Sequence, residues 1–93
     1  MLQYFVELLG TFIFLSVILL AVNMNIKWAA FPIGLALMVV IFFGGAVSGG
    51  HFNPAVSTMF YLNKSLPLMD LVIYILMQLL GAAFAIQYTK MAK

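Results

Sequence analysis

The chain has 93 residues, of which 67% are hydrophobic and 6% are charged, and its mean hydropathy is +1.22. So little polar surface excludes a water-soluble domain and indicates a multi-pass integral membrane protein, with room for about three crossings of ~20 residues each and one half-crossing. The absence of cysteine excludes disulfides and thiolate metal sites, and a net charge of +2 that includes four scattered lysines does not form a patch for nucleic acid.

Residues 4–22 are predicted to form the first transmembrane helix. This apolar run is too long for the hydrophobic part of a signal peptide and no Lys or Arg occurs before Lys27, so we expect it to be retained as a span. Glu7 is its exception, because a carboxylate is costly to expose to lipid. Its side chain either faces the interior of a helix bundle or lies at the headgroup level, one turn from the boundary.

Residues 23–27 are predicted to form a short polar turn, followed by Trp28 at an expected membrane–water interface. Residues 31–47 are predicted to form the second transmembrane helix. Pro32 lies near its start, where a missing N–H group costs little. The chain therefore returns across the membrane after the first span.

A polar interruption, SGGHFNPAVS from Ser48 to Ser57, follows the second span. Asn53 followed by Pro54 is typical of a helix start, because Asn accepts a backbone N–H at the cap and Pro needs no acceptor at the first position. The helix runs only to about Leu62, and about nine residues at a rise of ~1.5 Å span ~14 Å, half of a ~30 Å hydrocarbon core. Residues 48–62 are therefore predicted to form a re-entrant loop and half-helix, which needs protein or water around it.

Residues 67–88 are predicted to form the third transmembrane helix, with Gln78 as a polar residue in mid-span. A hydrogen bond to another helix would satisfy its amide. The single histidine, His51, has no second imidazole, cysteine or carboxylate at ligand spacing, so we expect neither a metal nor another cofactor. Glu7, Asp70 and His51 do not make a catalytic set, so an enzyme is not expected.

In a membrane chain, Asn-Pro-Ala preceded by Ser-Gly-Gly-His-Phe resembles the pore loop of the aquaporin and aquaglyceroporin family, the major intrinsic proteins. The segments VELLGTF and QLLGAAFA are similar to that family's first and third helices. The resemblance covers essentially the whole chain but only one of the family's usual two repeats. It implies an all-α membrane fold of three transmembrane helices and one half-helix, completed by a second, inverted unit.

The resemblance also implies roles for individual residues. The motif at the pore midpoint is Asn53, Pro54 and Ala55. The carbonyl groups that line the pore belong to Gly49, Gly50 and His51. The residues that hold the loop are Glu7 and Gln78. The selectivity-filter positions fall on Ile33 from one copy and on Ile41 and Gly50 from the other, beside Val56. Val56 follows the motif where the family's second repeat usually has arginine, so both mouths of a two-copy pore would be apolar.

These features predict a passive channel in membrane lipid for water and small neutral solutes such as glycerol. We expect an antiparallel homodimer to supply the second half, because a lone half-helix leaves polar backbone groups facing hydrocarbon. Lys27, Lys90 and Lys93 are expected on one face and Lys64 on the other, a bias that mildly favours a cytoplasmic carboxyl terminus without excluding both orientations. A complementary half-channel, a chain truncated from a longer protein and a non-conducting subunit are alternatives, and assembly of four pores is left open.

Overall fold

A computed structural model describes residues 1–92, which form four α-helices. Helix α1 spans Leu2–Asn23, α2 spans Ala30–Ser48, α3 spans Pro54–Leu62 and α4 spans Leu68–Met91. The three longer helices are each long and apolar enough to cross a membrane. The predicted all-α fold, with three such helices and one short helix, is confirmed.

The helix ends differ from the predicted spans by a few residues. Both α1 and α2 begin earlier and end later than predicted, and α4 continues to Met91 instead of ending at residue 88. Pro67 does not open α4 as expected but is its N-cap, in an extended conformation. Its carbonyl accepts the first hydrogen bond of the helix, from the Leu71 N–H at 3.0 Å, which is the usual arrangement at an N-cap.

Side-chain contacts establish the directions of the helices. The Tyr4 hydroxyl donates to the Asp70 carboxylate at 2.6 Å near the start of α1 and α4, and the rings of Phe12 and Tyr88 meet edge to face further along. Helices α1 and α4 are therefore parallel. The last residue of α2 donates a hydrogen bond to the first part of α1, so α2 is antiparallel to both. Helix α1 packs between α2 and α4, and α3 packs on α4.

This order of helices separates the lysines. Lys64, in the α3–α4 loop, lies toward the same face as the start of α1. Lys27, in the α1–α2 turn, and Lys90, in the last turn of α4, lie toward the opposite face. These three lysines therefore lie on the two faces predicted from the sequence. Lys93 lies outside the described residues.

Most of the residues at the helix contacts are small or polar, while most of the large apolar side chains point outward. The buried residues of α1 are Glu7, Gly10, Thr11, Ser16 and Ala21. Those of α4 are Leu71, Tyr74, Gln78, Gly81, Ala85 and Thr89. A Cβ at Gly81 would lie 2.9 Å from the Leu8 carbonyl oxygen, so α1 and α4 touch backbone to backbone here. Because lipid is as apolar as the outward side chains, close packing and hydrogen bonds hold such helices together.

Candidate functional site

Helix α3 begins in the middle of the bundle. Asn53 and Pro54 line a recess of about 210 Å³ together with Thr11 of α1 and Gln78 of α4. Thr11 and Gln78 lie near the middle of helices that are 22 and 24 residues long. From this level the nine residues of α3 run ~14 Å toward the face that carries Lys64. The helix thus covers about half of a ~30 Å hydrocarbon core.

The start of α3 is capped as its sequence predicts. Asn53 is extended, with φ −163° and ψ 126°, and its side-chain Oδ1 accepts the Ala55 N–H at 2.8 Å. Pro54 occupies the first helical position, where no acceptor for an N–H is needed. All three residues of the Asn-Pro-Ala motif are exposed in the single chain.

The loop between α2 and α3 turns through three residues in the left-handed region. Gly49 has φ 90°, Gly50 has φ 67° and Phe52 has φ 54°. Glycine adopts such angles freely, and Gly49 uses this freedom to end α2 with a bond from its N–H to the Gly45 carbonyl. For Phe52 the same region costs of the order of 1–3 kcal/mol, so other contacts must hold it.

Glu7 supplies the main contact to this loop. Its side chain is 0% exposed. The Ser48 hydroxyl and the His51 N–H donate to Oε2 at 2.7 and 3.0 Å, and the Phe52 N–H and Gln78 Nε2 donate to Oε1 at 2.8 and 2.9 Å. Two carboxylate oxygens offer about four acceptor positions. All four are occupied, which compensates for burying the group away from water.

Gln78 joins α4 to both α1 and α3. Its Nε2 donates to Glu7 and, at 2.9 Å, to the Ser57 hydroxyl, which is also 0% exposed. The amide nitrogen must face Glu7, because the amide oxygen would be repelled by the carboxylate. Ser57 Oγ also lies 2.8 Å from His51 Nδ1. One buried network therefore connects α1, α4, α3 and the loop.

The His51 ring is held on two further sides. It stacks on Phe60 of α3 with ring centroids 4.6 Å apart, and it meets the Tyr74 ring edge to face with centroids 5.0 Å apart. The Tyr74 hydroxyl donates to the Ser48 carbonyl at 2.7 Å. Within residues 1–92 no three His, Asp or Glu side chains are grouped to hold a metal ion. The ring acts as a packed part of the loop.

Of the two locations considered for Glu7, the structure has the carboxylate inside the bundle. It accepts hydrogen bonds there from the loop before Asn53. Gln78 bonds to another transmembrane helix through Glu7 and to the half-helix through Ser57, and it is connected to the loop through these two residues. Both residues thus meet in one place, although their functional role stays a prediction.

The predicted filter positions are only partly close within one chain. Ile41 Cα and Cγ1 lie 3.5 Å from where a Cβ of Gly50 would be. Ile33 lies two turns earlier on α2, ~12 Å along the helix, and Val56 lies in the first turn of α3. This separation is expected if Ile33 belongs to a different mouth from the other three. The pore roles of these residues, of the motif and of the loop carbonyls stay predictions.

Sequence reasoning missed four residues of the network. They are Ser48, Phe52, Ser57 and Tyr74. A signal existed for two of them: Ser57 follows Asn53 by one helical turn, and Tyr74 precedes Gln78 by one turn on the same face of α4. Ser48 begins the polar segment before α3, but no local feature of the sequence indicates its bond to Glu7. The place of the Phe52 ring depends on residues distant in sequence.

Known proteins resemble the chain over most of its length. The family model of the major intrinsic proteins matches residues 1–92. The "Glycerol uptake facilitator protein-like 6" of Lactiplantibacillus plantarum is 36% identical over 86 residues, 89% of this chain and 40% of that protein. The "Aquaporin-3" of Milnesium tardigradum is 48% identical over 63 residues, 67% of this chain and 19% of that protein. The "Aquaglyceroporin-4" of Botryotinia fuckeliana is 44% identical over 52 residues, 56% of this chain and 7% of that protein.

No solved structure matches the chain significantly. The chain spans at most 40% of the length of these three relatives. The match to the family model nevertheless covers the described residues from the first to the last and includes the loop, the half-helix and all three long helices. The chain belongs to the major intrinsic protein family.

Proposed function

We propose that the chain forms half of a channel that passes water and small neutral solutes such as glycerol across a membrane. The observation that carries this proposal is the start of α3, whose Asn53, Pro54 and Ala55 are exposed at the level of the middle of α1 and α4. An uncovered polar group costs several kcal/mol in hydrocarbon. A water-filled path beside a second half provides both water and protein at this depth.

The names of the relatives support the class of solute. One relative is called a glycerol uptake facilitator, another an aquaporin and a third an aquaglyceroporin. These are names of proteins more than twice as long as the chain. Transport of water and glycerol by this chain is therefore our proposal and requires a second half.

The second half we propose is an inverted copy of the same chain. A two-fold axis in the membrane plane would bring two α3 starts together at the midplane, as in inverted-repeat transporters. Helix α2 has room for a partner, because within residues 1–92 α1 is the one helix that packs along it. Its contacts with Tyr74 of α4 and with the Phe52 ring are confined to the end near Gly44 and Ser48. The division of Lys64 from Lys27 and Lys90 is a weak bias, compatible with insertion in both orientations.

In the paired channel, the two Asn53 side chains would orient water. The Asn53 Oδ1 caps α3, so its NH₂ group is the end available to a solute. A water that accepts one hydrogen bond from each copy cannot also accept a proton from the next water. Each α3 start adds about +0.5 charge, and in aquaporin-type pores the positive ends of half-helices exclude cations and protons.

The four filter positions favour passage of glycerol as well as water. They are Ile33, Ile41, Gly50 and Val56. None carries a charge or a side-chain hydrogen-bonding group, and Val56 takes the place of the arginine usual in the family's second repeat. A carbon-bearing solute therefore meets an apolar mouth at both ends of a homodimer, since the ends are identical.

Stopped-flow measurements on proteoliposomes of the purified chain test the channel. We expect faster shrinkage in an osmotic gradient and faster glycerol entry than in empty liposomes, without proton leakage. Val56→Arg should reduce glycerol entry more than water flow, whereas Val56→Met, which adds bulk without charge, should not. No acceleration for water or glycerol would remove the homodimer channel. Acceleration only after another family member is added would favour a partner-dependent subunit.

Cross-linking tests the inverted arrangement independently. The chain has no cysteine, so Asn53→Cys introduces a single reactive site, and we expect a disulfide-linked dimer in the bilayer. Leu62→Cys, at the other end of α3, is the matched control. In a head-to-head pair the two Leu62 positions lie two half-helix lengths apart, ~28 Å, and should not cross-link. Efficient linkage through the control and none at Asn53→Cys would contradict the inverted pair.

A further inference from the structure

The Phe52 ring occupies a notch formed by two glycines of different helices. A Cβ at Gly10 of α1 would lie 2.1 Å from Phe52 Cε1, and a Cβ at Gly44 of α2 would lie 3.2 Å from Phe52 Cζ. The ring is 2% exposed. It thus fills the space that two side chains would otherwise take and touches the backbones of α1 and α2 together.

The backbone of Phe52 is held as firmly as its ring. Its φ of 54° lies in the left-handed region, which L side chains rarely adopt. Its N–H donates to Glu7 Oε1 at 2.8 Å. The next residue is Asn53, whose side chain caps α3. Phe52 is therefore anchored at its ring and at its amide, directly before the residue that carries the motif's side-chain amide.

We propose that Phe52 is the positioning residue for Asn53. By seating its ring between Gly10 and Gly44, it sets the depth and direction of the Asn53 side chain and links them to the spacing of α1 and α2. The part of this inference that concerns permeation rests on the proposed function. The positioning itself is a property of the single chain and is measured without transport.

A compensating pair of substitutions tests the proposal. Gly10→Ala places a methyl group in the ring's space and should displace Phe52. Adding Phe52→Ala removes the whole ring, including Cδ1, which would lie 2.6 Å from the added Cβ, so the methyl group refills part of the vacated notch. Gly34→Ala is the matched control, since nothing lies within 4 Å of the added Cβ there and it replaces a glycine in another transmembrane helix.

Two readouts are measured in bilayers. The first is the side-chain amide resonance of Asn53 by NMR, assigned by its loss in Asn53→Asp. The second is water permeability per folded protein. We expect Gly10→Ala to shift the resonance and lower unit permeability several-fold, the double variant to restore both, and Gly34→Ala to change neither. If Phe52 contributed only to stability, Gly10→Ala would lower the amount of folded protein without shifting the Asn53 resonance.

The two proposals fail separately. An unchanged Asn53 resonance in Gly10→Ala, or a double variant that keeps the displaced resonance, overturns the positioning role even if the chain conducts water. A resonance that shifts and returns in a chain that conducts nothing supports positioning and removes the channel. If Gly10→Ala does not fold, Phe52→Ala alone decides, because loss of the ring should shift or broaden the resonance and an unchanged signal would overturn the proposal.

Discussion

Replacing Glu7 by Gln removes one charge while it preserves the shape of the side chain. The carboxylate accepts four hydrogen bonds, two at each oxygen. A carboxamide keeps one oxygen and presents an NH₂ group in place of the other. With the NH₂ group at the Oε2 position, the Ser48 hydroxyl and the His51 N–H both face a donor instead of an acceptor. The Ser48 hydroxyl can rotate and accept, but the His51 N–H cannot, and it loses its acceptor.

These contacts give the magnitude of the Glu7→Gln effect. An orphaned buried N–H costs ~1–3 kcal/mol, and the bonds that remain lose charge assistance worth ~1 kcal/mol each. Relief from burying a charge offsets part of this loss. We expect the free energy of unfolding to fall by ~2–4 kcal/mol. The control is Asp70→Asn, which also removes one charge but can still accept the hydroxyl of Tyr4, so its loss should stay below ~1 kcal/mol.

Unfolding in mixed micelles titrated with dodecyl sulfate measures both variants. Hydrogen exchange at the His51 amide in bilayers reports the particular bond that Glu7→Gln breaks, and this amide should exchange much faster in the variant. If Glu7→Gln and Asp70→Asn destabilise the chain equally and the His51 amide stays protected, the carboxylate does not hold the loop and the reasoning is refuted.

Three further predictions follow from single contacts. Ser57→Ala should lower the free energy of unfolding by ~1–3 kcal/mol in the same titration, because the hydroxyl joins the α4 amide to the loop at a site with 0% exposure; an unchanged midpoint would contradict this. Gly81→Ala should lower the unfolding midpoint because the added methyl group separates α1 from α4, whereas Gly34→Ala should leave the midpoint unchanged. Equal midpoints for the two variants would show that α1 and α4 accommodate the methyl group without loss of stability. Asn53→Asp should reduce water flow and introduce proton leakage, because a carboxylate opposes the ~+0.5 charge of each α3 start. A pH-sensitive dye in liposomes measures the leakage. A variant that conducts water rapidly and leaks no protons would argue against the dipole barrier.

Much of the fold follows from local features of the sequence. Apolar length identifies the three long helices, and the Asn53-Pro54 pair defines the start of α3, because a cap depends only on neighbouring residues. The family match confirms the resemblance, the membrane location and the non-enzymatic class. Helix ends are harder to predict because a helix can continue beyond its apolar stretch into polar residues, as α4 does through Thr89 and Lys90 to Met91.

The interior of the site was harder to predict because it depends on distant partners. The position of Glu7 in its span left two locations open, and the four donors from α2, the loop and α4 that surround it in the bundle are distant in sequence. Gly10, Gly44 and Phe52 come from three separate segments, and each alone is an ordinary residue for its position. Sequence spacing indicates neighbours within a helix, but a notch shared by two helices requires the packed structure.

The parallel arrangement of α1 and α4 has a consequence for chain duplication. Within the described residues three helices are long enough to cross a membrane, so the start of α1 and the end of α4 lie on opposite sides. If two copies of the gene were fused in tandem, the second copy would enter the bilayer upside down without any change in its own sequence. A single polypeptide joined by a short linker would then contain both half-helices in opposite directions, the arrangement that in the proposed homodimer depends on an encounter between two separate molecules.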